Sequence, residues 1–159
     1  MTRPFTGGGR GRAVLGVVAL VALAGCGITV DTEWDRSASF AQLRTYAWEE
    51  AEPPPGSRPV IESVRDDTVI RTTVERELAA RGYEKTFTGT PDFVVDYRVV
   101  IANPNYPYGT LVLTIRDPST LQQLWSGSAK NVIDPGDRKA TDANTREGIR
   151  KMLSRFPPD

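Results

Sequence analysis

Histidine is absent from the 159 residues. That removes the commonest general base and the commonest metal ligand together. There is one cysteine, Cys26, so no disulfide can close within the chain. A surplus of one charge is missing as well, since 20 Lys and Arg stand against 20 Asp and Glu. Without a basic excess the chain has no electrostatic reason to bind nucleic acid or anionic headgroups. Any membrane link must therefore be covalent or hydrophobic. No Ser-x-x-Lys helix start is present, which removes Ser-Lys hydrolysis. The composition, 39% hydrophobic and 25% charged, suits one globular domain with a modest core.

What is present is concentrated at the start. Arg3, Arg10 and Arg12 form a basic region, followed by the uncharged apolar residues 13–22 (AVLGVVALVA). That length fits a signal-peptide core and falls short of the roughly 20 residues a spanning helix needs. Leu23, Ala24, Gly25 and Cys26 follow, matching the lipobox of bacterial lipoproteins: a branched apolar residue, two small residues, then cysteine. Cleavage is expected between Gly25 and Cys26, with Cys26 carrying diacylglyceryl and N-acyl lipid. An ordinary secretory signal or a retained anchor helix is the alternative. Cleavage removes three bases and no acid, so the mature chain carries three more acids than bases. Gly27, rather than Asp, follows the cysteine. By resemblance to enteric lipoproteins this favours transfer to the outer membrane, facing the periplasm. The glycines at 7, 8, 9 and 11 follow no strand and form no phosphate loop.

The division expected is a signal peptide at 1–25, a lipidated tether at 26–27 and one domain at 28–159. Alternation at 28–34 and 44–48 predicts two strands. Because the first starts so early, the tether spans less than roughly 10 Å. The domain should therefore sit against the membrane surface. Residues 49–59 (EEAEPPPGSRP) read as an acidic, proline-rich exposed loop. A helix is predicted over 60–81, with Ile70, Val74 and Leu78 on its buried stripe and Gly82 just past its end. Strands are predicted at 93–101, 110–116 and 122–131, as an antiparallel meander. A last helix over 141–156 places Ile149, Met152, Leu153 and Phe156 on one side. The order ββαβββα gives an α+β two-layer sandwich, a mainly antiparallel sheet with both helices on one face.

Several segments in sequence carry a family resemblance. They are residues 40–48 (FAQLRTYAW), 78–83 (LAARGY), 91–95 (PDFVV), 109–113 (GTLVL), 124–129 (LWSGSA) and 152–158 (MLSRFPP). Together they resemble the domain-of-unknown-function 4136 lipoproteins over nearly all of the mature chain. The resemblance implies an envelope lipoprotein with no assigned activity, and it brings no catalytic residues. Relatives often have a more charged stretch where this chain has 103–109.

Two surface candidates emerge. One is the loop holding Asn105, Tyr106 and Tyr108, where prolines stiffen two amphipathic rings of the kind interfaces favour. The rings could equally pack on the sheet edge. The other is the sheet face away from the helices, with Asp96, Arg98, Thr114 and Arg116 and, alongside, Ser128 and Lys130. It reads either as a groove for a glycan or peptide or as a solvated face with cross-strand charge pairs. Trp48 and Trp125 read either as sugar platforms or as core. The adjacent carboxylates Asp66-Asp67 and Glu49-Glu50 cannot flank a scissile bond. No catalytic residue, metal ligand or cofactor beyond the covalent lipid is expected. The expected partners are membrane lipid through Cys26 and a protein of the envelope. The leading reading is a non-enzymatic binding or assembly module; the alternative is a small-ligand or glycan-binding domain, or a hydrolase, using the polar sheet face. Oligomeric state is left open.

Overall fold

The chain runs β1 (Val30–Trp34), β2 (Thr45–Trp48), α1 (Ile61–Ala79), β3 (Glu84–Lys85), β4 (Phe93–Asn103), β5 (Tyr106–Arg116), β6 (Gln123–Lys130) and α2 (Arg138–Leu153), with a 3-10 turn at Phe40–Gln42. The computed structural model describes residues 27–49, 61–103, 106–130, 132 and 136–158, and for 61–66, 101–103 and 106–108 it describes the backbone only. The signal segment with Gly25 and Cys26, the acidic proline-rich residues 50–59, and Asn105 lie outside the described residues. The strands form one sheet in the order β1-β6-β5-β4-β2-β3. The β4–β5–β6 meander is antiparallel, as the alternation predicts, and β1 pairs antiparallel with β6. The fold is α+β with two helices, as expected.

Three features depart from the sequence reading. First, β2 runs parallel to both β4 and β3, and β3 was not anticipated. Two residues show no alternation, so β3 leaves no pattern. Its position comes from the backbone bonds Glu84 N–H to Arg44 O (2.8 Å) and Thr86 N–H to Tyr46 O (2.8 Å). Second, residues 106–109 are strand, not loop: Asn103 pairs with Tyr106 and Ile101 with Gly109. Pro107 is tolerated because the ladder already shifts register between Ile101 and Asn103. Third, α2 starts earlier and stops earlier than the apolar spacing implies. Asp137 caps it by accepting from Ala140 N–H (3.0 Å), and Ser154 closes it. Phe156 therefore lies beyond the helix, though still buried.

α1 ends where Gly82 predicts. Tyr83 N–H reaches Leu78 O and Gly82 N–H reaches Ala79 O, with Gly82 at φ +86°. This is the six-to-one and five-to-two pair of a Schellman closure. Leu78 and Tyr83, the two residues that close it, are both buried.

The core lies between the sheet and both helices. Val30, Tyr46, Phe93, Val95, Leu111, Leu113, Ile115, Trp125 and Ala129 face Ile70, Val74 and Leu78 of α1 and Ile149, Met152 and Leu153 of α2. One end is aromatic: Phe156 touches Phe40, Tyr83, Phe93 and Trp125 at ring separations of 5.8, 5.5, 6.0 and 5.4 Å. Glycines set how closely α2 sits on β6. A Cβ on Gly148 would meet the Ala129 Cβ at 2.9 Å, and one on Gly127 would meet the Trp125 ring at 2.5 Å and the Met152 Cβ at 3.2 Å. Trp34 shares the inward-facing alternation of Val30, but at the end of β1 it stays well exposed.

Candidate functional site: the polar face of the sheet

Odd and even strand positions point to opposite faces, so the registers fix what shares the face away from the helices. One row runs Asp31, Ser128, Val112, Arg98 across β1, β6, β5 and β4. The next runs Glu33, Ser126, Thr114, Asp96. Asp31, Thr32, Glu33, Arg98, Val112, Ser126 and Ser128 line a shallow concavity of about 300 Å³. Carboxylates stand on the β1 side and a guanidinium on the β4 side, with small hydroxyl residues between them.

Asp96, Arg98, Thr114 and Arg116 do share this face, but they do not form one site. Arg116 is tied to Glu49 by a short ion pair and lies 3.8 Å from Asp96. That cluster fastens the end of β2 to β4 and β5. Glu49 belongs to it: its N–H donates to Val95 O (2.9 Å), so the first residue of the expected loop continues the sheet. Arg98, by contrast, is exposed and forms no ion pair among the described residues. Lys130 lies 3.5 Å from Asp31. The sequence reading missed Asp31, Glu33 and Ser126 as lining residues. Alternation in 28–34 does group Asp31 with Glu33, but nothing local says that β1 pairs with β6.

The remaining candidates resolve differently. Trp125 is wholly buried, its indole N–H without a hydrogen-bond partner, so it is core and no platform. Trp48 is half-buried. Its indole N–H donates to Glu75 (2.8 Å), and the Arg71 guanidinium lies 4.5 Å from its ring centroid. Asp67 accepts from Arg71 (2.7 Å) and from the Tyr97 hydroxyl. Lys85 donates to Glu75 at 2.5 Å. This network clamps α1 to the β2–β4 side of the sheet. Tyr106 and Tyr108 lie in β5; Asn105 is outside the described residues, as is Glu50.

The groups with shifted acidity serve the architecture. Burial pushes the Glu75 carboxyl up, but hydrogen bonds from Lys85 and Trp48 outweigh it and hold it below the usual range. Asp92 is held low by the N–H groups of Thr45 and Arg44, which it clasps at the start of β2. Asp117 and Asp35 are lowered by turn hydrogen bonds, from Thr120 and Ser119 and from Ser37 respectively. Burial raises Tyr46 to about 12, with the Glu75 charge adding to it, and burial also raises Tyr83. None of these groups lines the concavity. Among the described residues no cluster of acidic residues could hold a metal ion, and no helix is long and apolar enough to cross a membrane.

Comparison with known proteins gives a family and a fold. The family model described as a domain of unknown function (DUF4136) matches residues 30–158. No curated protein matches the chain in sequence. A PDZ domain protein from Parabacteroides distasonis is similar in structure, with a TM-score of 0.62 at 17% identity, covering 82% of this chain and 35% of that one. This chain thus spans about a third of that protein's length, and the likeness concerns the fold. Two structures of a PelC dodecamer from Paraburkholderia phytofirmans give TM-scores of 0.48 and 0.47, each at 13% identity over 80% of this chain and 95% and 96% of theirs.

Proposed function

The chain belongs to the DUF4136 family, and from that premise we propose that it is a lipid-anchored domain of the bacterial cell envelope that works by binding rather than by catalysis. Cys26 is the anchor, carrying diacylglyceryl and N-acyl lipid. The domain faces the periplasm from the outer membrane and docks a protein of the envelope. One observation carries the reading. The folded domain begins where the lipobox ends: Thr29 O already accepts from Lys130 N–H (2.9 Å), and Val30 is paired with Ala129. A tether of two residues holds the domain within roughly 10 Å of the bilayer. It can therefore meet only what lies close to that membrane.

Radioactive palmitate tests the anchor. The native protein is expected to take up label and Cys26→Ser to take up none; label persisting in the variant would overturn the assignment. Photocrosslinking in cells from position 106 tests the docking. One discrete protein adduct supports it, and the absence of any adduct from a lipidated, folded protein counts against it.

The concavity favours a second reading, a small polar ligand or glycan held between Arg98 and the Asp31–Glu33 wall. Arg98→Ala would abolish such binding with no loss of fold, since the side chain is exposed. Saturable binding of an anionic ligand in calorimetry that survives Arg98→Ala would remove this site from consideration.

A further inference from the structure

β1 closes one side of the sheet, so one of its two rows of backbone groups faces no strand. The bonds at its ends say which row. Lys130 N–H donates to Thr29 O and Asp35 N–H donates to Leu124 O, both at 2.9 Å. In an antiparallel ladder the N–H and C=O of one residue point the same way, and successive residues alternate. Thr29, Asp31, Glu33 and Asp35 therefore turn theirs toward β6, and Val30, Thr32 and Trp34 turn theirs outward. The Arg155 guanidinium agrees, since it reaches Val30 O from outside the ladder at 2.9 Å. The N–H and C=O groups of Thr32 and Trp34 meet no partner among the described residues.

Open edges are ordinarily blunted by proline, lysine, a bulge or shortness. The far edge follows that rule, for β3 is two residues long. β1 has none of these devices. It runs five residues, VDTEW, in continuous register with β6. Its guard is negative charge. On the polar face Asp31 is loosely paired with Lys130 at 3.5 Å, with both side chains more than half exposed. Glu33 accepts from the Gln123 amide at 3.1 Å and has no cation beside it among the described residues. A second copy of β1, paired antiparallel about Thr32, would set Asp31 against Glu33 twice, and like charges directly opposite are destabilising. The same two carboxylates attract a strand with cations at those positions. On the other face Trp34 is 41% exposed, a ring that an apolar neighbour on the edge would cover.

We infer that the outer edge of β1 is a strand-addition site for an extended peptide of alternating cationic and apolar residues. The inference rests on the docking reading above and names the surface and the class of segment docked. The guest extends the sheet by one strand. Its cations lie beside Asp31 and Glu33, and its apolar side chains lie beside Thr32 and Trp34. Main-chain bonds to Thr32 and Trp34 hold the guest, while charge selects it and excludes a second copy of this chain.

The probe is a dye-labelled synthetic peptide alternating lysine and valine, titrated by fluorescence anisotropy against the full-length protein in neutral detergent micelles. Saturable binding is expected, and its absence overturns the inference. Thr32→Pro deletes an outward N–H that β6 does not use, so circular dichroism should show the fold intact. Affinity should fall about tenfold with the lost ladder bonds; unchanged affinity of the folded variant overturns the edge. Two N-methylated peptides of identical charge test the ladder on the native protein. Methylating one alternate set of amides, the valines for an antiparallel guest or the lysines for a parallel one, is expected to abolish binding, and methylating the other set to leave it. Binding that survives both, or that both abolish equally, overturns strand addition. Photocrosslinking in cells from position 34 separates this edge from docking in general. An adduct from 34 that Thr32→Pro removes supports the edge together with the peptide result. An adduct from 106 with none from 34 overturns the edge and leaves the docking reading standing. No adduct from either position overturns both.

Discussion

The two ends of β4 belong to one strand and one alternation, yet they live in different surroundings. Phe93 and Val95 are 0% and 2% exposed, whereas Val99, on the same face six residues after Phe93, is 41% exposed. The lower end is gripped by β2 and by the rings around Phe156. Its upper end has β5 alone as a strand neighbour among the described residues, since β2 pairs only with Phe93, Val94 and Val95. The lesson is that a period-two pattern reports which face a residue takes and says nothing about where the covering layer ends.

The comparison can be broken first at its core end. Phe156→Ala removes the ring shared by four aromatic partners and is expected to cost about 3–5 kcal/mol, enough to abolish cooperative urea unfolding. A loss below 1 kcal/mol would show that the cluster is loosely packed. The same polar change at two positions of one strand sharpens the contrast. Val95→Asn should lose about 3 kcal/mol, since it buries an amide in a dry core, and Val99→Asn should stay within about 0.5 kcal/mol. Equal losses would contradict the description of β4.

These elements also show what the sequence exposes and what it conceals. The meander, the two helices and the Gly82 closure were legible because each depends on local periodicity or on one special φ. The parallel β2 pairing was not, since it is set by a crossover whose strand β3 is two residues long. The polar face was legible as a face, from alternation in 93–101 and 110–116. The concavity was not, because Asp31 and Glu33 join it only through the pairing of β1 with β6. Arg116 looked equivalent to Arg98 in sequence; only the fold brings Glu49 alongside to occupy it. Phe156 matched the helical spacing of α2 and is buried, although the helix stops before it.

Smaller effects probe the layer between the two ends. Gly148→Ala pushes a methyl to 2.9 Å from Ala129 and should cost about 1–3 kcal/mol by prising α2 from β6; an unchanged melting temperature would mean that the helix slides freely. The α1 clamp should show in acid. The Glu75 carboxyl is held below its ordinary value of 4.5 and that of Asp92 below 3.8. Both contribute stability that is complete above those values and lost as pH falls through their lowered folded values. Glu75→Gln should remove about 1 kcal/mol at pH 7, discounted because the pair is partly exposed, and flatten the acid limb. An unaltered acid midpoint would assign that limb to other groups. Tyr46 works in the opposite sense. Its folded value of about 12 against 10.0 unfolded removes stability as pH rises between the two. The smallest change lies in the Asp117–Gln122 turn, where Leu121 holds φ 56°. Leu121→Gly should gain about 0.5 kcal/mol by relieving the left-handed backbone, and any loss would mean that its exposed side chain packs in solution.

The proposed anchoring is tested most directly by membrane flotation of the native protein and of Cys26→Ser expressed in cells. The native protein is expected to float with the outer-membrane fraction and the variant to stay in the soluble fraction. A variant that still floats, or a native protein that does not, would contradict the proposal.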